Sequence, residues 1–227
     1  MKNILWTGGW DSTFRLLQAL FIDNETVQPY YIVDHNRKST RQEFLAIRKI
    51  YLKVKEKIGT SKLLPTKIYY RWELKPNASI SESYNSLKSK MHVGTQYEWL
   101  ALFAEQHQLN DLELSIQSHE HNHQSQLQKL MLENMVDFAT ENARLKENFN
   151  KDLEIYKYYK FPVLHIKKQE MADIAKEHSF DKLMLDTWFC HTPIFEKPCG
   201  VCKPCQISKT VDAKVDYSPF GLLKRVF

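Results

Sequence analysis

The sequence predicts an α/β fold, a parallel sheet with helices on both faces, carrying a four-cysteine knuckle late in the chain. Three observations predict it. Strand-like apolar segments alternate with segments of helical periodicity, the pattern of a parallel sheet joined by right-handed crossovers. The first strand runs directly into Thr7-Gly8-Gly9-Trp10-Asp11-Ser12-Thr13. All four cysteines fall inside one 16-residue window, Cys190-x8-Cys199-x2-Cys202-x2-Cys205, behind the last expected strand.

Residues 3–6 read as a short buried strand, after which Asp11 or Ser12 supplies an N-cap. Phe14, Leu17, Leu20 and Phe21 then form an apolar stripe at helical spacing. A second strand is expected at residues 30–33, closing on Asp34. The clearest helix follows: Phe44, Ile47, Ile50, Val54 and Ile58 recur every three or four residues, and Gly59 stands at a C-cap position. Residues 67–72 read as a third strand. Residues 76–90 are rich in Ser and Asn without firm periodicity, and read as a mobile loop or short helix. Thr95 caps a helix carrying Leu100, Phe103 and Ala104, and residues 111–116 alternate as a strand. A long helical stretch is expected over residues 124–148 and a short extended piece over 161–166. Residues 168–178 form a helix, and 182–186 the last strand.

At 227 residues the chain is most simply one domain, 1–227, with a metal-binding segment over 187–210. A 43% apolar composition with 26% charged residues is that of a soluble globular protein, and a net charge of +5 suits a small anionic ligand without arguing for nucleic acid. No stretch approaches the roughly 18 apolar residues of a membrane span. Ile4, Leu5 and Trp6 are too short an apolar run for a secretory leader. A cytoplasmic location is expected, where clustered cysteines favour metal over disulfides.

Gly8 and Gly9 remove side chains where the backbone turns tightly and approaches a ligand. The N–H groups of the helix that follows lack intrahelical partners, and its dipole adds partial positive charge, so the turn is suited to phosphate. Hydroxyls of Thr7, Ser12 and Thr13 can add donors. Asp11 beside an anion either caps the helix or faces a Mg2+ ion. Neither G-x-x-x-x-G-K-[ST] nor G-x-G-x-x-G is present, and a plain strand-to-helix turn capped by Asp11 is the bland alternative.

Cys190, Cys199, Cys202 and Cys205 fit a closed, structural Zn2+ site with four thiolates, with Gly200 easing the turn between two of them. A redox pair at Cys202 and Cys205, or an iron–sulfur cluster, are the alternatives. With all four thiols committed to one metal, redox use loses ground.

Thr-Gly-Gly-Trp-Asp-Ser-Thr resembles the Ser-Gly-Gly-x-Asp-Ser-Thr loop of the PP-loop ATP pyrophosphatases, with Thr7 retaining the hydroxyl. With the cysteine spacing, Thr187-Trp188-Phe189-Cys190 and Pro198-Cys199-Gly200-Val201-Cys202, the chain is similar to the 7-cyano-7-deazaguanine synthases of the queuosine pathway. The resemblance covers both ends of the chain and extends to Lys168 at the start of a helix. It implies a Rossmann-like sheet of the adenine-nucleotide α-hydrolase type. It also implies ATP cleavage between the α and β phosphates, adenylation of a 7-deazaguanine-type carboxylate, and displacement of AMP by ammonia. Thr7, Gly8, Gly9, Asp11, Ser12 and Thr13 would hold pyrophosphate, with Lys168 neutralising charge and Asp34 contacting ribose or Mg2+, or serving only as a turn residue.

The middle of the chain departs from that pattern. The family's Pro-x-Arg-Asn signature is replaced by His92-Val93-Gly94-Thr95-Gln96-Tyr97. The arginine after the last cysteine is absent, with Gln206 and Lys209 nearby. The base-recognition region holds Ser118-His119-Glu120-His121-Asn122-His123, whose histidines are either solvent-facing or substrate contacts. Adenylation therefore transfers better than substrate identity. A paralogue that joins a deazaguanine to a protein amine in an antiviral system is one alternative, and a non-catalytic nucleotide-binding partner is another. A protein partner and a homodimer stay open, and no membrane partner is expected.

Overall fold

A computed structural model of the chain describes residues 1–59, 61–117, 126–211 and 215–221. In chain order the elements are β1 (Lys2–Leu5), α1 (Trp10–Phe21), β2 (Val27–Val33), α2 (Thr40–Ile58) and β3 (Lys67–Tyr70). Then come α3 (Ala78–Lys90), α4 (Gln96–Gln106), β4 (Leu112–Glu113), α5 (Gln126–Glu133), and a small antiparallel pair, β5 (Met135–Val136) and β6 (Arg144–Leu145). The chain closes with β7 (Tyr159–Lys160), α6 (Lys168–Glu177), α7 (Asp181–Met184) and α8 (Lys203–Val211).

Five strands form one parallel sheet in the order β3-β2-β1-β4-β7. Side-chain alternation divides the core into two layers. Ile4, Tyr31 and Val33 face a layer shared with Phe14 and Leu17 of α1, Ile50 of α2 and Met171 of α6. Leu5, Tyr30 and Ile32 face the opposite layer with Tyr84 and Leu87 of α3 and Phe103 of α4. The expected architecture, helices on both faces of a parallel sheet, is present.

Residues 76–90, expected as a mobile loop or short helix, hold a regular helix, because Ile80, Ser83, Tyr84 and Leu87 make a buried stripe and Asn77 accepts the Ile80 N–H at 3.3 Å. Three other local expectations are corrected. The long helix expected to residue 148 ends at Glu133. A hairpin follows, with Asp137 at φ 54°. Residues 161–166 form successive turns, Leu164 N–H to Phe161 O and Ile166 N–H to Val163 O, and the fifth strand lies just before them at β7. Residues 182–186 are not a strand but the end of the helical turn α7. Leu183 and Met184 are buried side by side while Lys182 and Leu185 are exposed, which a two-residue period does not allow.

From β1 the connections run to β2 and β3 on one side, whereas β4 and β7 lie on the other. The carboxyl ends of β1 and β4 therefore flank a topological switch point, where open α/β sheets bind ligands. Helix α1 is held over that point by Arg15, which is wholly buried. Its Nε donates to Glu113 Oε2 at 2.7 Å and its Nη2 to Glu113 Oε1 at 3.1 Å. Nη1 donates to Gln18 at 3.0 Å and Asp23 at 2.8 Å, and Nη2 also reaches Glu141 at 3.1 Å. All five guanidinium donors are thus satisfied.

Removing one member of such a buried pair leaves the other charge uncompensated. Arg15→Met should lower stability by about 3–5 kcal/mol in urea unfolding, and adding Glu113→Leu should restore most of the loss.

Candidate functional site

A cleft of about 220 Å³ opens at the carboxyl ends of β1, β2 and β4. The turn after β1 supplies Thr7 and Gly9, and the first turn of α1 supplies Trp10, Asp11 and Ser12. Tyr30 and Ile32 come from β2, Leu114, Ser115 and Ile116 follow β4, and Gln96, Tyr97 and Trp99 come from α4.

Gly8 adopts φ 68°, and a Cβ there would lie 3.1 Å from the Glu43 carbonyl oxygen and 3.2 Å from the Ala46 side chain. Its missing side chain makes room for α2 rather than for a ligand. Gly9, in extended conformation, is the N-cap of α1 and makes no side-chain cap bond. Asp11 and Ser12 therefore sit inside the first helical turn instead of capping it. The Ser12 hydroxyl lies 3.4 Å from both the Thr7 N–H and the Thr7 hydroxyl, so these two polar side chains face each other beside the open helix end. Thr13 is wholly buried, and its hydroxyl accepts the Trp6 indole N–H at 3.0 Å; it lies beneath the turn, not on the cleft wall.

Lys168 begins α6, and its Nζ stands 3.8 Å from Asp11 Oδ1, so the structure brings these two candidate residues together. Asp34 does not line the cleft. It accepts the Asn36 N–H at 3.1 Å and pairs with Arg71 at 3.1 Å, as a turn residue tying β2 to the end of β3. His119, His121 and His123 lie outside the described residues.

Sequence reasoning missed Arg37, Trp10, Tyr97, Trp99 and Ser115 on the cleft wall. Arg37 was findable: it follows the carboxyl end of β2 by the rule that singled out Asp34. Its Nη1 and Nε each stand 3.4 Å from the buried Glu43 carboxylate, which also accepts the Ser39 hydroxyl at 2.6 Å and the Tyr31 hydroxyl at 2.8 Å. Burial and the Glu43 charge push the Tyr31 phenol well above its usual range. Burial, aided by the Arg37 charge, holds His191 below the ordinary imidazole range.

The cysteine sulfurs all lie within 4.8 Å of one another, close enough to hold a metal ion. Cys202 is 3.4 Å from Cys205 and 3.9 Å from Cys190, and Cys199 is 3.9 Å from Cys205. A tetrahedral Zn2+ site with 2.3 Å bonds spaces its sulfurs by about 3.8 Å, whereas a disulfide needs about 2.05 Å. The four thiols are free, and Gly200 turns the chain between them at φ 73°. Burial opposes ionisation at Cys199, yet the Thr192 hydroxyl and the Val201 and Cys202 N–H groups bring its thiol down to about 6. Burial pushes Cys190 up to about 11.

The cysteine segment leaves a helix rather than a strand but still meets the turn after β1. The Trp188 N–H donates to Gly8 O at 2.8 Å, and the Trp188 indole N–H donates to Cys190 O at 2.7 Å. No protein-family model and no curated protein matches the chain.

Zinc measured by mass spectrometry should track the cluster, with Cys199→Ser losing the metal. Because metal binding contributes on the order of 10 kcal/mol to the segment it closes, the thermal midpoint should fall by more than about 5 °C.

Proposed function

We propose that the chain is an ATP-dependent enzyme that activates a carboxylate by transferring AMP to it. The supporting observation is the turn after β1. It delivers the open N-terminal end of α1, with the Thr7 and Ser12 hydroxyls, into a cleft at the switch point of the sheet. The strand order β3-β2-β1-β4-β7 is consistent with a Rossmann-like fold of the adenine-nucleotide α-hydrolase type.

A carboxylate oxygen attacks the α-phosphorus, and the bond from that phosphorus to the oxygen bridging the β-phosphate breaks. Negative charge gathers on the departing pyrophosphate, where the first-turn N–H groups of α1 and Lys168 stabilise it. An amine then attacks the acyl carbon, AMP leaves, and the amine's surplus proton passes to solvent. Following the resemblance, the acid is a 7-deazaguanine such as 7-carboxy-7-deazaguanine. The amine is ammonia, giving an amide and, with a second ATP, a nitrile; a protein amine is the alternative. Tyr97 and Trp99 supply flat walls suited to a heteroaromatic ring. Cys190, Cys199, Cys202 and Cys205 would hold Zn2+ as a structural brace, and Asp11, on the cleft wall, would meet Mg2+ bound with ATP.

Pyrophosphate release from ATP, 7-carboxy-7-deazaguanine and ammonium should be measurable and should require the acid. Ser12→Ala and Lys168→Ala should each lower the turnover number by about 100-fold, with stability unchanged in a thermal melt. ATP binding without pyrophosphate release, with ammonium or a protein amine, would reduce the chain to a nucleotide-binding partner.

A further inference from the structure

We propose that Arg37 is an anion clamp of the cleft, exchanging Glu43 for a phosphate or carboxylate oxygen of the bound ligand. This assignment rests on the reading of the cleft as an ATP and acid site, and names a residue that the sequence motifs do not contain.

The contrast between two guanidinium groups carries the argument. Arg15 is fully buried, and each of its five N–H donors has a partner at 2.7–3.1 Å. That is how a structural arginine is held. Arg37 is 29% exposed at its side chain, lines the cleft, and meets Glu43 at 3.4 Å through two nitrogens. Among the described residues the rest of its donor fork has no hydrogen-bond partner, and its planar geometry suits phosphate and carboxylate.

Glu43 is prepared for the exchange. The Ser39 hydroxyl at 2.6 Å and the Tyr31 hydroxyl at 2.8 Å both donate to its carboxylate, so its charge stays hydrogen-bonded when Arg37 turns away. The position is also right. The Glu43 carbonyl oxygen lies 3.1 Å from where a Gly8 Cβ would be, so the residue that parks Arg37 also packs on the turn after β1. Among the described residues lining the cleft, Arg37 is the cation and Asp11 the carboxylate, so the described wall offers an anionic ligand one guanidinium.

Calorimetric titration of wild type, Arg37→Gln and Arg37→Lys tests the assignment with four probes: α,β-methylene-ATP, pyrophosphate, 7-carboxy-7-deazaguanine and its neutral 7-cyano counterpart. Arg37→Gln should bind at least one anionic probe about 10- to 100-fold more weakly, leave the neutral probe unchanged, and keep the wild-type melting midpoint. Loss confined to the first two probes makes the partner a phosphate; loss confined to the third makes it a carboxylate. Arg37→Lys, which keeps charge without the fork, should fall between. Unchanged affinity for every anion, or equal loss for the neutral probe, overturns the clamp while leaving the ATP reading intact. Wild type binding none of the four overturns both.

Discussion

The buried Arg15–Glu113 pair is the constraint on which the site's geometry depends. It joins α1 to β4, the strand beyond the switch point, while the turn after β1 joins the same helix to the strand before it. Held at both strands, α1 cannot rotate or slide without breaking a fully satisfied guanidinium in a dry interior, where unpaired charge is costly. An apolar contact of equal area would hold the helix with less directional demand. Five directed hydrogen bonds fix its rotation, and with it where the open N–H groups of the first turn point.

A second constraint acts on the turn itself. Gly8 is enclosed on one side by the first turns of α2 and has its carbonyl held by the Trp188 N–H on the other. Trp188 stands two residues before Cys190 and is bonded to it through the indole. The cluster's role thus reaches beyond its own segment. Whatever fixes the four sulfurs also fixes the strand of chain that holds the Gly8 carbonyl. A metal held by the four sulfurs would in this way shape the turn after β1 from a distance.

How much was legible in the sequence followed from the range of the forces involved. The turn and the cysteine knuckle are local, so their residues announce themselves by spacing, as do the stripes of α1 and α2. Helix α3 was legible only as one of two alternatives, because serines at positions 79, 81, 83, 86 and 89 dilute its apolar stripe, although that stripe packs well against Leu153 and its neighbours once folded. The segment 182–186 misled in the opposite sense: Leu183, Met184 and Leu185 look like a buried strand, yet Leu185 is 73% exposed. Thr13 shows the same limit within the site. Its hydroxyl has the right chemistry for phosphate, but the Trp6 indole holds it in the core. Ser115 belongs to the cleft through strand order, which no window of sequence contains, whereas Arg37 lay within reach of the strand-end rule that singled out Asp34.

Cations at and beside the cleft are paired in the resting protein. Lys168 lies beside Asp11 and Arg37 beside Glu43, each cation next to a carboxylate. On the proposed reading, a polyanion entering such a site would not meet bare cations, which would draw any phosphate or acidic surface indiscriminately. It must offer better geometry than the carboxylates already in place. The resident partners are loose, 3.8 Å for Lys168 and 3.4 Å for Arg37, while the Arg15 contacts that hold the fold are as short as 2.7 Å. On the proposed reading, the short, buried Arg15 pairs set the shape, and the longer Lys168–Asp11 and Arg37–Glu43 pairs would hold cations for exchange, so that specificity would come from the difference between two partners rather than from attraction to one.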